Sequence, residues 1–171
     1  MSRFKVVYGD ITEQCVDAIV NAANTSLLGG GGVDGAIHRK AGVELLRECK
    51  TLNGCKTGEA KITDAYKLTA KYIIHTVGPI YRGGKNNEKE LLENAYKNSL
   101  RLAVSYDIKT IAFPSISTGV YSYPVKEASL TAVKTILDFL NKKTSIEEVR
   151  MVCFDINTYN TYLETLESLE V

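Results

Sequence analysis

Four consecutive glycines, Gly29 to Gly32, lie between Asn24 and Asp34. Glycines in series lose much backbone entropy on ordering and give a core almost no packing, so such a run serves to bring bare N–H groups close to a ligand. The mostly apolar stretch Val16 to Val20 before it reads as a strand. Gly35 to about Cys49 after it reads as a helix, with Ile37, Ala41, Leu45 and Cys49 at helical spacing. The N–H groups and dipole of a helix N-terminus favour an anion, most often a phosphate. No Lys or Arg occurs between Asn21 and Ile37, so a phosphate held here would be met by backbone donors rather than by side-chain charge. No Gly-Lys-Ser/Thr follows the glycines, which excludes an ordinary NTPase phosphate loop. The other reading of a glycine run, a flexible surface linker, is disfavoured by these flanks.

The remaining reactive side chains give weaker signals. Cys15, Cys49, Cys55 and Cys153 form no C-x-x-C pair or tight Cys/His cluster, so no zinc site is expected and the thiols read as reduced. Cys15 and Cys153 flank apolar runs and read as small core residues. His75, inside the apolar run Tyr72 to Val77, reads as a buried, satisfied imidazole. His38, four residues after Asp34, reads as scaffold. Ser117 lies in Ser-Thr-Gly, which lacks the G-x-S-x-G elbow of a nucleophilic serine.

The elements that must position these residues alternate. Phe4 to Tyr8 reads as a strand closing on Gly9-Asp10-Ile11-Thr12, where Asp10 is equally a turn residue. Glu59 to Ala65, Tyr72 to Val77, Thr110 to Phe113 and Glu148 to Phe154 supply further strands. Helices are expected over Glu88 to Tyr106, with Leu91, Ala95, Leu102 and Tyr106 on one face, over Val125 to about Asn141, and over Tyr159 to Leu169. About six strands alternating with four helices predict a three-layer α/β/α sandwich with a mixed, largely parallel sheet. In such sheets ligands sit at the carboxyl ends of the strands, where Asp10, the Asn24 to Asp34 loop, Ser117 to Tyr121 and Phe154 all lie. A length of 171 residues with 44% hydrophobic content suits one domain over 1–171. The net charge of +1, with both signs interspersed, disfavours nucleic acid as a partner. No signal peptide or membrane-spanning run is evident, so a soluble, cytoplasmic protein is expected; a monomer is expected as well.

Several blocks carry a resemblance together. Gly9-Asp10-Ile11-Thr12, Asn21-Ala-Ala-Asn24, Gly29 to His38, His75-Thr76-Val77-Gly78-Pro79 and Ile116 to Tyr121 match, in order and spacing, the MacroD-type branch of the macro domain family. The likeness spans essentially the whole chain and is especially close to bacterial O-acetyl-ADP-ribose deacetylases.

This resemblance implies a set of roles. The Asp10 carboxylate would accept from the adenine amino group, with the Ile11 N–H meeting the ring and Phe154 stacking on it. The diphosphate would lie between the glycine loop, at Gly32 and Val33, and the N–H groups of Ser117, Thr118, Gly119 and Val120, with Tyr121 on the distal ribose. Asn24 and Asp34 would hold that ribose and a water near the bond that breaks. Asp34 is the one carboxylate of the glycine loop, a candidate general base or water-orienting group and equally a helix N-cap. The implied function is binding of ADP-ribose and hydrolysis of its esters, either O-acetyl-ADP-ribose or mono-ADP-ribose on Asp and Glu side chains of proteins, without metal or other cofactor. A non-catalytic ADP-ribose reader and an ADP-ribose 1″-phosphate phosphatase are the alternatives.

Overall fold

A computed structural model describes residues 3–170, so residues 1, 2 and 171 of the expected domain lie outside the described ones. Its strands are β1 (Phe4–Tyr8), β2 (Ala18–Ala22), β3 (Ala60–Asp64), β4 (Tyr72–Thr76), β5 (Thr110–Phe113) and β6 (Glu148–Cys153). Its helices are α1 (Gly32–Ala41), α2 (Val43–Thr51), α3 (Glu88–Ser105), α4 (Val125–Asn141) and α5 (Ile156–Leu169). The six strands form one sheet in the order β1-β6-β5-β2-β4-β3. Every pairing is parallel except β3 with β4, which gives the mixed, largely parallel three-layer sandwich.

The central strands are apolar on both faces because helices cover both. Ala18, Val20, Ile74, Ile111, Phe113 and Met151 pack under α3, α4 and α5. Ile19, Ile73, Ala112 and Val152 face Ile37, Leu45 and Cys49 of α1 and α2.

Three expectations are corrected. The helix expected over Gly35 to Cys49 is two helices: Gly42 takes φ +93°, a left-handed value that ends α1 and lets α2 start at a new angle. The buried face of α3 is Leu92, Ala95, Tyr96, Leu100 and Ala103, rotated from the expected one, and Tyr106 is exposed. Cys15 is exposed and not a core residue, whereas Cys153 is buried.

Glu88 opens α3 and organises the turn before it. Its carboxylate accepts from the backbone N–H groups of Arg82 at 2.7 Å, Gly84 at 3.0 Å and Asn86 at 2.6 Å. These donors, Arg82 foremost, hold its carboxyl below the usual value of 4.5. A depressed folded-state value means that the contribution to stability is present above pH 4.5 and is lost as pH falls through the lower folded value. Glu88→Gln is therefore expected to lower Tm at pH 7. The difference from wild type should shrink in melts recorded at progressively lower pH below 4.5.

Candidate active site at the strand carboxyl ends

The strand order places four loops side by side. Strands β1, β6, β5 and β2 are consecutive and parallel. Their carboxyl ends carry Asp10, Phe154, Ser117 to Tyr121 and Asn24 in that order, over about 14 Å at the usual strand spacing. Four segments distant in sequence thus form one elongated edge.

At the β1 end, Asp10 caps a short 3-10 turn over Ile11–Glu13. Its Oδ1 accepts from the Thr12 N–H at 2.9 Å and from the Thr12 hydroxyl at 2.7 Å. The hydroxyl bond, partly offset by burial, holds the Asp10 carboxyl below its ordinary range, and Oδ2 remains for a ligand. Phe154, at the end of β6, is 74% exposed and takes no part in the core. A flat aromatic next to an anchored carboxylate can stack on and select a purine amine.

In the middle of the edge, Ser117 adopts φ +69° and donates its hydroxyl to the Pro79 carbonyl at 2.7 Å. The loop is closed by Tyr123 N–H donating to Ser117 at 2.9 Å, and tied to the β4–α3 connection by Tyr81 N–H donating to Tyr121 at 2.8 Å. The backbone N–H groups of Thr118, Gly119 and Val120 donate to no group among the described residues. The same holds for Gly30, Gly31 and Gly32, the last two being the N-cap and first residue of α1. Two adjacent loops thus offer unpaired donors, a suitable cradle for a diphosphate.

At the β2 end, Asp34 sits in the first turn of α1 but does not cap it; Gly31 is the N-cap. Its buried side chain turns instead toward the sheet, where Oδ1 accepts from Asn21 Nδ2 at 2.9 Å. Oδ2 points the other way: a Cβ built on Gly30 would lie 3.2 Å from Asp34 Oδ2 and 3.3 Å from Asn24 Nδ2. Asp34 Oδ2 and Asn24 Nδ2 therefore both crowd the side of Gly30 on which a Cβ would stand. Asn24 also staples the loop, its Oδ1 accepting from the Ser26 N–H, the Ser26 hydroxyl and the Leu27 N–H, while Nδ2 donates to Gly29 at 3.0 Å. Its acceptor is thus fully engaged, and one amide hydrogen is left for a ligand. Beside Tyr121 a cavity of about 410 Å³ continues the edge, with Thr25, Pro79, Arg82 and Glu88 in its walls. The Lys85 to Lys89 segment lies at this rim through Asn86.

Two residues given no part in the site by the sequence stand next to Asp34. His38 Nε2 is 3.4 Å from Asp34 Oδ1. Asn21, fully buried in β2, supplies the hydrogen bond. Asn21 carried a signal: a polar residue in an apolar central strand must find a partner or cost stability. Among the described residues no group of three or more His, Cys, Asp or Glu side chains is arranged to hold a metal ion. Nor is any helix among them long and apolar enough to cross a membrane.

The family model for the Macro domain matches residues 20–132. The chain belongs to the macro domain family. A macro domain-containing protein of Methanosarcina mazei is 55% identical over 169 residues, covering 99% of this chain and 90% of that protein. A protein of Salmonella typhimurium named O-acetyl-ADP-ribose deacetylase is 54% identical, covering 96% of this chain and 94% of its own length. The solved Oceanobacillus iheyensis macrodomain with ADP superposes with a TM-score of 0.93 at 46% identity, covering 96% of this chain and 90% of that one.

Proposed function

We propose that this macro domain binds ADP-ribose along the strand edge and hydrolyses its esters. The observation that carries the reading is Asp34: a buried carboxylate with one oxygen anchored by Asn21 and the other aimed past Gly30 toward Asn24, beside two loops of unpaired N–H groups. The adenine end falls at Asp10, Ile11 and Phe154. The diphosphate falls on Gly32, Val33 and the Ser117 to Val120 loop, and the distal ribose between Tyr121 and Asn24. The ADP-bound relative and the relative named as a deacetylase support this assignment.

In the reaction, a water held by Asp34 Oδ2 adds to the ester carbonyl. The acyl C–O bond breaks, and the products are ADP-ribose and a carboxylic acid. The chain's own part is to orient that water and take its proton, while backbone donors fix the diphosphate and remove translational freedom. No cofactor enters. The substrates are O-acetyl-ADP-ribose and proteins carrying mono-ADP-ribose on Asp or Glu. Release of ADP-ribose from both, measured side by side, tests the reading: release from neither removes the hydrolase and leaves a reader of ADP-ribose.

The adenine end has its own test. Guanine would present a carbonyl to the Asp10 carboxylate, and two acceptors facing each other with no hydrogen between them cost about 1–3 kcal/mol. Calorimetry should therefore find ADP-ribose bound about tenfold or more tighter than GDP-ribose, a preference lost in Asp10→Ala.

A further inference from the structure

A buried chain of polar groups runs away from the candidate site beneath α1 and α2. Sheet register pairs Asn21 of β2 with His75 of β4, so both side chains emerge on the same face. Asn21 Nδ2 reaches His75 Nδ1 at 3.1 Å as well as Asp34 Oδ1 at 2.9 Å. His75 Nε2 meets the Thr63 hydroxyl of β3 at 2.9 Å, and Cys49 Sγ lies 3.9 Å away. His75, Asn21 and Cys49 are fully buried, and Thr63 is nearly so.

The hydrogen-bond chemistry of these groups favours one arrangement, which leaves Asn21 Oδ1 buried without a partner. An amide nitrogen has hydrogens and no lone pair to give, so Nδ1 of His75 must accept from it. With the nitrogen facing the Asp34 carboxylate, both amide hydrogens are used, one on Asp34 and one on His75. The Thr63 hydroxyl donates its single hydrogen to the Asp64 carbonyl at 3.0 Å, so toward His75 it accepts. The proton of the imidazole therefore sits on Nε2. Burial pushes the imidazole down to about 4, which keeps it neutral, and pushes the Cys49 thiol up to about 11, so its sulfur stays protonated. The opposite tautomer would put a hydrogen on Nδ1 against the Asn21 NH2. Relieving that clash by turning the amide would aim Asn21 Oδ1 at the Asp34 oxygen.

Resting on the ester-hydrolase reading above, we propose that His75 is a positioning residue for Asp34. As the neutral Nε2–H tautomer, with Thr63 as its acceptor, it fixes the Asn21 amide with nitrogen toward Asp34 Oδ1. That leaves Oδ2 aimed at the cleft. His75 itself touches neither the strand edge nor any ligand position on it.

The first measurement needs no turnover. Protein labelled with 15N-histidine has two imidazoles, His38 and His75, and His38→Gln assigns them. Long-range 1H–15N spectra at neutral pH should show His75 as the Nε2–H tautomer; the Nδ1–H tautomer or an imidazolium would overturn the proposal. The second is kinetic. His75→Leu should lower kcat on O-acetyl-ADP-ribose by at least about tenfold while KM and the Kd for ADP-ribose stay within about threefold. His75→Asn can place Oδ1 where Nδ1 stood, and should recover part of that kcat. Parallel loss of kcat and affinity in His75→Leu, or a His75→Asn no faster than His75→Leu, would contradict the role. Should His75→Leu not fold, the wild-type tautomer still decides. A wild type without turnover would sink the hydrolase reading while leaving the tautomer result intact.

Discussion

Asp34→Ala is expected to lower kcat for release of ADP-ribose from O-acetyl-ADP-ribose by about 10²–10⁴-fold, the range supplied by a positioned general base. ADP-ribose binding should persist in the same variant, because the proposed adenine and diphosphate contacts lie on Asp10, Phe154 and the two N–H loops rather than on Asp34. The split follows from how the carboxylate is held. Its Oδ1 is spent on Asn21 and lies beside His38, so Oδ2 alone faces the cleft. Truncation removes the group that meets the water and leaves the rest of the edge standing. The lost hydrogen bond from Asn21 would cost about 1–3 kcal/mol of stability, a drop that thermal melts can register without unfolding the protein at assay temperature. Single-turnover assays and calorimetry on one preparation separate the two effects. Equal loss of binding and turnover would mean that Asp34 grips the ligand instead of acting on it.

The second large effect is expected at Gly78, far from the glycine run in sequence. A Cβ there would stand 2.2 Å from Ser117 Oγ and 2.4 Å from Ile116 Cγ2. Neither neighbour can yield easily. Ser117 is buried, held at φ +69° and anchored through its hydroxyl to Pro79, while Ile116 is fully buried in the core. Gly78→Ala must therefore push the Ser117 to Tyr121 loop away from β4, at an overpacking cost of about 1–3 kcal/mol. Because that loop offers the N–H groups of Thr118, Gly119 and Val120, its displacement should weaken ADP-ribose binding by at least about tenfold, or ~1.4 kcal/mol. Calorimetric Kd values for wild type and Gly78→Ala check this. An unchanged Kd would place the diphosphate somewhere other than against this loop.

Much of this arrangement was legible in the sequence, for reasons that differ from element to element. Helix α4 fell where its periodicity puts it, since Pro124 fixes the start and Ala128, Ala132, Val133 and Ile136 form an unbroken apolar stripe. The gathering of the four loops on one edge followed from strand–helix alternation, because parallel strands send their carboxyl ends to one side, whereas their order along it is set by the crossovers of the sheet. The break at Gly42 was hidden because Ala41 and Leu45 on either side of it are both buried and stay in register with a continuous helix. The face of α3 was misjudged because Leu91 and Leu92 are adjacent and apolar, and only packing against the sheet selects Leu92. The polar chain through His75 and Asn21 escaped notice for a deeper reason. It depends on sheet register between residues 54 apart and on a helix turning Asp34 inward, neither of which any local pattern encodes. Asn24 shows the same limit: its type suggested a donor and acceptor for ribose, but the loop takes the acceptor for itself.

The most direct test of the central claim is single-turnover release of ADP-ribose from O-acetyl-ADP-ribose by the wild-type protein in excess over substrate, with ADP-ribose affinity measured on the same sample. The arrangement of Asp34 beside Asn24 predicts complete conversion of bound substrate to ADP-ribose and acetate at a rate well above that of the uncatalysed ester. Tight binding with the ester left intact would contradict it and make this macro domain a reader.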